Sequence, residues 1–561
     1  MDQATIDRAV ARVADNKTKW ARLPLRRKIG YLERCLEGTV NVANRQVAAA
    51  LAAKGIDPTS PTAGEEWLGG PLVTVRNIRL LIETLRAVEE HGHPPLERQA
   101  ISQRPDGQVV VEVFPQNGFD KLLYRGFSAH VWQAPHIKPS DLPTKMAGFY
   151  AQSDPQGAVA LVLGAGNVAS IGPLDVIYKL FAEGQVCVLK LNPVNEYLGP
   201  HVEKAFSALV EDGFLSFAYG GPEVGAYLCQ HPGIDEIHIT GSDRTHDAIV
   251  FGSGPEQAQR KREKRPINTR RITSELGNVS PVIIAPGEWS LAELRFQAEN
   301  VATQMTNNAG FNCNAAKVLV TSKMWAQREQ FLEALRDVLA RLPRRQAYYP
   351  GALERFDNFV GVHSGQAELF GERSGRELPW ALIAGLDPAK RDDVCFTQES
   401  FCGVTAEAAL DAGDPAQFLA DAVAFCNETL WGTLNASLIV DPRTEKEYEV
   451  AVEQAVADLR YGSVAVNHWP ALSYGLGVTT WGAFPGHSLE DIQSGVGVVH
   501  NCLLFDEPQK SVVRGPFRIA PRPPWFVTHR RTHKLAPVLM RFEARPGLRW
   551  LPTILANALR G

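Results

Sequence analysis

From Gly157 the chain changes rhythm, and this change constrains the fold more than any other feature. GAVALVLG is an apolar run, the GAGN turn follows, an amphipathic stretch continues to about Glu183, and Val186–Leu191 is apolar again. The pattern repeats through Phe214–Tyr219, a helical stretch at Val224–Gln230, and Glu236–Thr240. Buried strands separated by helices imply a parallel sheet with helices on both faces. A second alternation runs from Ile272 to about Val466. Strands are expected there at Pro281–Ile284, Val318–Val320 and Ala436–Val440, and helices at Leu291–Met305, Trp325–Leu342 and Pro415–Asn427. The fold class is therefore α/β, and 561 residues allow three or four units of ~150 residues each.

Ahead of this region, residues 1–100 read as helices, with apolar positions at helical spacing through Ile29–Leu36, Val47–Leu51 and Val73–Val88. Gln108–Phe114 reads as a strand and Asp120–Trp132 as a helix. The N-terminus carries acids early and has no apolar core of signal type, which points to the cytoplasm. No run of ~18 apolar residues predicts a spanning helix. A hydrophobic share of 45% excludes a disordered chain, and a net charge of −4 gives no global case for nucleic acid.

Two segments stand apart. Gln259–Arg271 (QRKREKRPINTRR) is basic and reads first as a solvated loop. Ser511–Gly561 carries ten Lys/Arg against the single acid Glu543, on a body that is otherwise acidic. It reads either as a segment packed across its own or a neighbouring subunit, or as an interfacial element for an anionic membrane. Pro537, Pro546 and Pro552 prevent one long amphipathic helix there.

The eight cysteines form no CxxC pair and have no histidines at metal-ligand spacing, so neither a metal centre nor a disulfide framework is expected. Cys313 differs from the rest because it sits in a Gly/Asn-rich turn, MTNNAGFNCNAAKVLV, where turn amides favour a thiolate. Glu275, in RRITSELGNVSPVII, is a carboxylate inside a strand-like stretch and a candidate base if buried. LVLGAGNVASIGP has the strand–GxG–helix outline of a dinucleotide turn, with Ala169 at the third position. Asn167 in that turn has an amide suited to a developing oxyanion. Each of these residues has an ordinary structural reading when taken alone.

Taken together, they resemble the aldehyde dehydrogenase superfamily over roughly residues 15–505. The family's NxGQxC motif is matched by Asn308-Ala309-Gly310-Phe311-Asn312-Cys313, and its ELGGKxP motif by Glu275-Leu276-Gly277-Asn278-Val279-Ser280-Pro281. FTGS is matched by Ile239-Thr240-Gly241-Ser242 and ExFGPV by Glu399-Ser400-Phe401-Cys402-Gly403-Val404. The segment from Asn427 to Ser437 and the later Val466-Asn467 follow in the family's order. The resemblance implies that Cys313 is the nucleophile, Glu275 the base that activates water, and Asn167 an oxyanion donor. It also implies that Lys190, Gly221, Gly225, Gly241, Ser242, Glu399 and Phe401 hold NAD or NADP.

The departures are as informative as the matches. Phe311 replaces the usual Gln, and Ala165-Gly166-Asn167-Val168 is similar to the long-chain acyl-CoA reductase branch. Leu191-Asn192-Pro193 stand where the family often has an acid after Lys190, which keeps NADP open. Trp481-Gly482-Ala483-Phe484-Pro485-Gly486 replaces the PFGGxxxSG block.

The expected activity is oxidation of a small aldehyde to an acid through a thiohemiacetal and a thioester. The alternative is a CoA-acylating enzyme or acyl-CoA reductase, for which the basic loop 259–271 would serve CoA phosphates. A non-catalytic binding protein on the same fold is a third reading, opposed by the joint presence of Cys313, Glu275 and Asn167. The resemblance implies two Rossmann-type sheet domains and a small oligomerisation sheet. Residues 1–274 would bind cofactor, with 133–157 adding to the oligomerisation sheet, and 275–470 would be catalytic. Residues 471–510 would return to the cofactor domain and supply an oligomerisation strand near VGVVHNCLLF, leaving 511–561 as the extension. A homodimer or homotetramer is expected. His468–Gly475, with Trp469 and Tyr474, would line the substrate mouth.

Overall fold

The alternating region folds as its pattern requires. The computed structural model describes residues 1–95 and 101–561. Its N-terminal part is helical, with α1 (Leu25–Lys54), a short α2 (Gly64–Trp67) and α3 (Val73–His91). Next come β1 (Ile101–Gln103), β2 (Val109–Phe114) and β3 (Ser128–Gln133). The cofactor-type sheet then runs β4 (Val159–Leu163), α4 (Ile171–Phe181), β5 (Val186–Lys190), β6 (Leu215–Ala218), α5 (Pro222–Gln230), β7 (Glu236–Gly241), α6 (Asp243–Phe251) and β8 (Arg271–Leu276). The second sheet adds β9 (Pro281–Ile284), α7 (Leu291–Thr306), β10 (Val318–Ser322), β11 (Ala367–Phe370), β12 (Trp380–Leu386), β13 (Val404–Leu410), β14 (Asn435–Ile439) and β15 (Ser463–Val466). The chain closes with β16 (Gly495–Val496), β17 (Pro508–Arg514), α8 (Thr532–Ala544) and α9 (Leu551–Ala558).

The first sheet has the spatial order β16-β8-β7-β4-β5-β6, parallel except for β16. Because β4 lies between β5 and β7, successive connections leave it in opposite directions. The crevice beyond the C-terminal strand ends at this switch point is where such sheets bind ligands. The second sheet has eleven strands in the order β1-β2-β3-β17-β15-β14-β9-β10-β13-β12-β11. Its centre, from β17 to β12, is parallel, with antiparallel strands at both ends. The central strands are buried on both faces, and their sequences are correspondingly continuous in apolar residues.

Three expectations change. The helix expected over Asp120–Trp132 is confined to Gly118–Leu123, and Ser128–Gln133 is the strand β3, whose Ala129 and Val131 alternate into the core. Between Gln133 and Val159 no strand forms; that stretch holds two 3-10 turns and a single bridge from Met146 to Phe505. VGVVHNCLLF is not an exposed edge, because Cys502, Leu503, Leu504 and Phe505 are buried in the chain's own core. The sheet strand lies further on, in β17, and both of its edges are filled, by β3 and by β15.

The basic extension packs on its own chain. The boundary expected at Ser511 falls inside β17. In α8, Ala536 and Met540 join a cluster with Trp67 and Leu72, while Phe542 stacks edge-on against Phe119 at 5.4 Å. Glu543, the segment's only acid, is buried between Arg76 (2.8 Å) and Arg79 (2.7 Å) of α3. No helix among the described residues is long and apolar enough to cross a membrane.

Candidate active site

The C-terminal ends of β4, β5, β7 and β8 point at one loop of the second sheet. Asn167 follows β4, Lys190 ends β5, Gly241 ends β7, and Glu275 is the penultimate residue of β8. The facing loop joins α7 to β10 and carries Cys313. The helix starts on a capping box, with Ser290 and Glu293 exchanging bonds, and ends at Asn307. The backbone then turns sharply, with Asn308 at φ 52° and Ala309 at φ 58°, both left-handed without being glycine. Gly310 follows at φ 79°, where a Cβ would meet the Cys402 carbonyl at 2.6 Å. Of the eight cysteines seven are buried, and Cys313 alone is half-buried.

On one flank the loop is clamped to the Asn167 turn. The Asn167 amide donates to the Phe311 carbonyl at 2.9 Å, and Asn308 Nδ2 donates to the same oxygen at 3.1 Å. The Asn167 carbonyl accepts three donors: Lys54 Nζ at 3.1 Å, Asn308 Nδ2 at 3.0 Å and the Tyr348 hydroxyl at 3.2 Å. Lys54 Nζ also donates to Asn308 Oδ1 at 3.0 Å and is paired with Glu66 at 2.7 Å. Lys54 and Glu66 come from α1 and α2, more than a hundred residues before Asn167. Their side chains are 4% and 5% exposed, so the pair is held in low dielectric.

On the other flank lies Glu275, whose buried carboxyl is set beside the Cys313 thiol and Trp481. Burial, reinforced by the neighbouring Asp175 charge, pushes its carboxyl up to about 8. Burial and the facing Glu275 and Glu399 carboxyls hold the Cys313 thiol well above its ordinary value. Both groups are thus held towards their protonated forms, and the carboxyl becomes a strong base as pH rises through its titration. Trp481, Leu434 and Val499 form the apolar wall here, with Tyr178 and Tyr474 beside them. Trp469, expected at the mouth, is a packing residue whose indole donates to the Asn314 carbonyl at 2.6 Å. Tyr474 shares a 2.8 Å hydrogen bond with Ser170.

Glu399 lies against Gly277, where a Cβ would meet its Oε2 at 2.0 Å; only glycine admits this approach. Burial pushes Glu399 up to about 8, while Lys317 and Arg355 oppose the shift. Arg355 donates to the Ser400 and Phe401 carbonyls at 3.0 and 3.2 Å, fixing Phe401 in a left-handed conformation. The Phe401 ring stacks with Tyr349 and with Phe311, at centroid distances of 5.0 and 5.8 Å. Phe311, the residue that replaces Gln, thus fills an aromatic cluster.

At the far end, burial lowers the Lys190 pKa against the opposing pull of Glu196 and Glu223. Glu196 accepts the Gly220 N–H at 2.6 Å and Glu223 the Gly221 N–H at 3.0 Å. Two acids thus act on Lys190, from positions later in the chain than Leu191-Asn192-Pro193. Nothing lies within 4 Å of a Cβ built on Gly225, so a ligand can rest there. Ser242 caps α6 and is exposed with Gly241 at the turn. An open turn at a helix N-terminus, a lysine, and a buried carboxyl oxygen on Glu399 without a partner suit a dinucleotide's pyrophosphate and ribose hydroxyls.

The basic loop is largely neutralised within the fold. Lys261 pairs with Asp247, Arg260 with Glu256, Arg265 with Glu263, and Arg271 with Glu183 and Glu236. Lys54, Glu66, Tyr348, Trp481 and Asp175 were not singled out from the sequence. Trp481 alone left a signal, since it stands where a familiar block is replaced.

An aldehyde dehydrogenase family model matches residues 124–364, the span holding Asn167, Lys190, Glu275 and Cys313. Solved structures of the same fold extend over nearly the whole chain. An NAD-dependent aldehyde dehydrogenase from Sinorhizobium meliloti is 17% identical, with 92% of this chain and 88% of that one covered and a TM-score of 0.57. An aldehyde dehydrogenase from Pseudomonas aeruginosa is 16% identical, covering 91% and 89%, with a TM-score of 0.59. An NADP-dependent glyceraldehyde-3-phosphate dehydrogenase from Bacillus halodurans, complexed with NADP, is 15% identical, covering 92% of each chain, with a TM-score of 0.59.

Proposed function

We propose that this chain, which matches an aldehyde dehydrogenase family model over residues 124–364, oxidises an aldehyde to a carboxylic acid with NAD or NADP. The observation that carries this reading is the half-buried Cys313 set between the Asn167 turn and the buried carboxyl of Glu275. Glu275 takes the thiol proton, and the sulfur adds to the aldehyde carbon. The resulting oxyanion is stabilised by the Asn167 amide and the Cys313 backbone N–H. Lys190, Gly221, Gly225, Gly241, Ser242, Glu399 and Phe401 would hold NAD(P), which would supply the hydride acceptor. Glu275 releases the thiol proton to solvent before deacylation, and the thioester left on Cys313 is then attacked by water. Glu275 takes one water proton, the oxygen adds to the acyl carbon, the C–S bond breaks, and the proton returns to sulfur as the acid departs.

Glu275 favours water over CoA as acyl acceptor, and four of the seven cations of the 259–271 loop are already paired with carboxylates. The test is NAD(P)H formation with an aldehyde panel, with and without CoA. Turnover without CoA is expected, and a strict CoA requirement would overturn the hydrolytic reading. Glu275→Gln should slow both the pre-steady-state burst of NAD(P)H and the steady state, and the steady state more.

In this reading residues 1–274 serve the cofactor and 275–470 the chemistry. As partner, a second copy is proposed, and β17 sets its form. Since both edges of β17 are filled within the chain, strand exchange would replace the β17–β15 pairing with the same pairing from the other copy. A dimer or tetramer by light scattering at micromolar concentration supports this, and a monomer opposes it. The tail's outer face offers a second contact. Leu548, Leu555 and Leu559 are 72%, 50% and 74% exposed, beside the exposed Arg545, Arg549 and Arg560. An anionic bilayer suits that mixture. Co-sedimentation with anionic but not neutral vesicles, reversed by salt, would support it.

A further inference from the structure

The base side of the site contains a second buried acid. Strands β7 and β8 are parallel with His238 opposite Thr273 and Thr240 opposite Glu275. Residues two apart on a strand share a face, so these four side chains form a polar square on a sheet that is otherwise apolar at its centre. Asp175, 1% exposed, is sent onto this square by α4. Its Oδ2 accepts the Thr240 hydroxyl at 2.9 Å and lies 3.6 Å from His238 Nε2. His238 Nδ1 is in turn 2.9 Å from the Thr273 hydroxyl. Asp175 Oδ1 and Glu275 Oε1 are buried without a hydrogen-bond partner.

The groups facing Glu275 come from several elements. The cysteine loop brings Cys313, the segment before β16 brings Trp481, the 399 loop brings Glu399, and α4 brings Asp175. Beyond Asp175 stand His238 on β7 and His500, which stacks on Tyr474 at 3.9 Å and feels both Asp175 and His238. Among the groups that act on Glu275, Asp175 is the foremost charge, and its sign matches that of Glu275. A like charge nearby disfavours ionisation of a carboxyl.

We infer that Asp175, fixed by Thr240 and His238, is a positioning residue that keeps Glu275 a strong base for the Cys313 thiol and for the deacylating water. The inference rests on the hydrolytic reading above. It needs no proton transfer to Asp175 itself, because the proton Glu275 takes from water returns to sulfur. Its action is electrostatic, through the fixed negative charge.

The test is the pH profile of steady-state NADH formation by the full-length protein with NAD and hexanal. A base works when deprotonated, so the rate rises with pH through the titration of Glu275. Asp175→Asn keeps the shape and removes the charge. The rising limb should move down by ~1 pH unit, and the plateau should fall about threefold as the base weakens, with the KM for hexanal unchanged. Thr240→Val, which loosens the hold on Asp175, should move the limb the same way by less. A general structural defect lowers the rate without moving the limb downward. An unmoved or upward-moved limb in both variants overturns the inference. Glu275→Gln, run alongside, separates the two readings. If that variant keeps a normal steady state, the base assignment fails and the inference with it. If it is slow while Asp175→Asn leaves the limb unmoved, only the role of Asp175 fails.

Discussion

On the Asn167 flank of Cys313 one carbonyl takes three donors and the next takes two, whereas on the Glu275 flank Glu275, Asp175 and Glu399 each keep a carboxyl oxygen without a partner. The first arrangement fixes geometry. An oxyanion donor works by being in place before charge develops, and rigid hydrogen bonding removes the cost of reorganising it. The second arrangement concentrates negative charge in low dielectric. Such groups cost stability, and sites that move protons keep them because a carboxyl with an ordinary pKa would be a weak base at neutral pH.

If the Asn167 flank is a preorganised cradle, removing its one directing amide should have the largest effect. Asn167→Ala is expected to lower the burst rate of NAD(P)H formation ~10²–10³-fold, the usual cost of one lost oxyanion donor. Cofactor affinity by fluorescence titration should change little. A variant with an undiminished burst would break the comparison at its first term.

The cradle is seated on α1 and α2, and α8 of the extension packs against α2 and α3. Glu543→Gln removes the carboxylate that Arg76 and Arg79 share, leaving them Asp120 at 3.3 Å and Glu83 at 2.8 Å, which should destabilise the fold by about 3 kcal/mol. Denaturant melts read this directly. The same acid gives a pH dependence. The two arginines overcome burial and hold the Glu543 pKa below the ordinary carboxylate value. Its contribution is therefore present above that ordinary value and is lost as pH falls through the lowered one. The unsubstituted protein should lose stability steeply in that acid range, and Glu543→Gln should flatten the loss.

Why this architecture was only partly legible in the sequence follows from the range of each interaction. Cys313, Glu275 and Asn167 sit in local motifs, where turn, strand end and functional group are contiguous, so spacing carries them. The strands β4, β5, β9 and β10 were legible because burial on both faces leaves a nearly unbroken apolar run. β3 was not, because SAHVWQ alternates on one face only and follows a short true helix. Lys54 reaches Asn167 and Asn308 across 113 and 254 residues of chain, Tyr348 reaches Asn167 across 181, and Glu66 joins through Lys54, so none has a local signature. Asp175 lies on the buried face of α4, where an acid reads as an interruption until Thr240 and His238 appear opposite it.

The Lys54 network provides a finer test of the same contrast. Lys54→Met removes the ammonium that ties the Asn167 carbonyl to Asn308 and Glu66, while Tyr348 and Asn308 still hold that carbonyl. A loss of about tenfold in burst rate with an unchanged KM for aldehyde is expected, by analogy with charge-assisted bonds worth about 1.5–3 kcal/mol. Lys54→Arg should recover part of it. An equal loss in both variants, accompanied by a raised KM, would mean that the pair only supports the fold.

The smallest effect is expected at the far end of the cofactor groove, where the charge pattern resembles that of the base flank. Glu196 and Glu223 both act on Lys190, and each also accepts a backbone N–H of the Gly220–Gly221 turn. If Lys190 binds the adenosine ribose, these acids face its hydroxyls. They are placed to accept hydrogen bonds from a free 2′-hydroxyl and to repel a 2′-phosphate. NAD should then be preferred over NADP, although the residues immediately after Lys190 lack the familiar acid. Glu223→Gln removes one charge at a solvent-exposed turn, where screening limits the effect. A gain of about threefold in kcat/KM for NADP relative to NAD is expected, and Glu196→Gln with Glu223→Gln together should exceed either alone. An unsubstituted enzyme that already prefers NADP would show that these carboxylates serve the Gly220–Gly221 turn and leave cofactor choice to other groups.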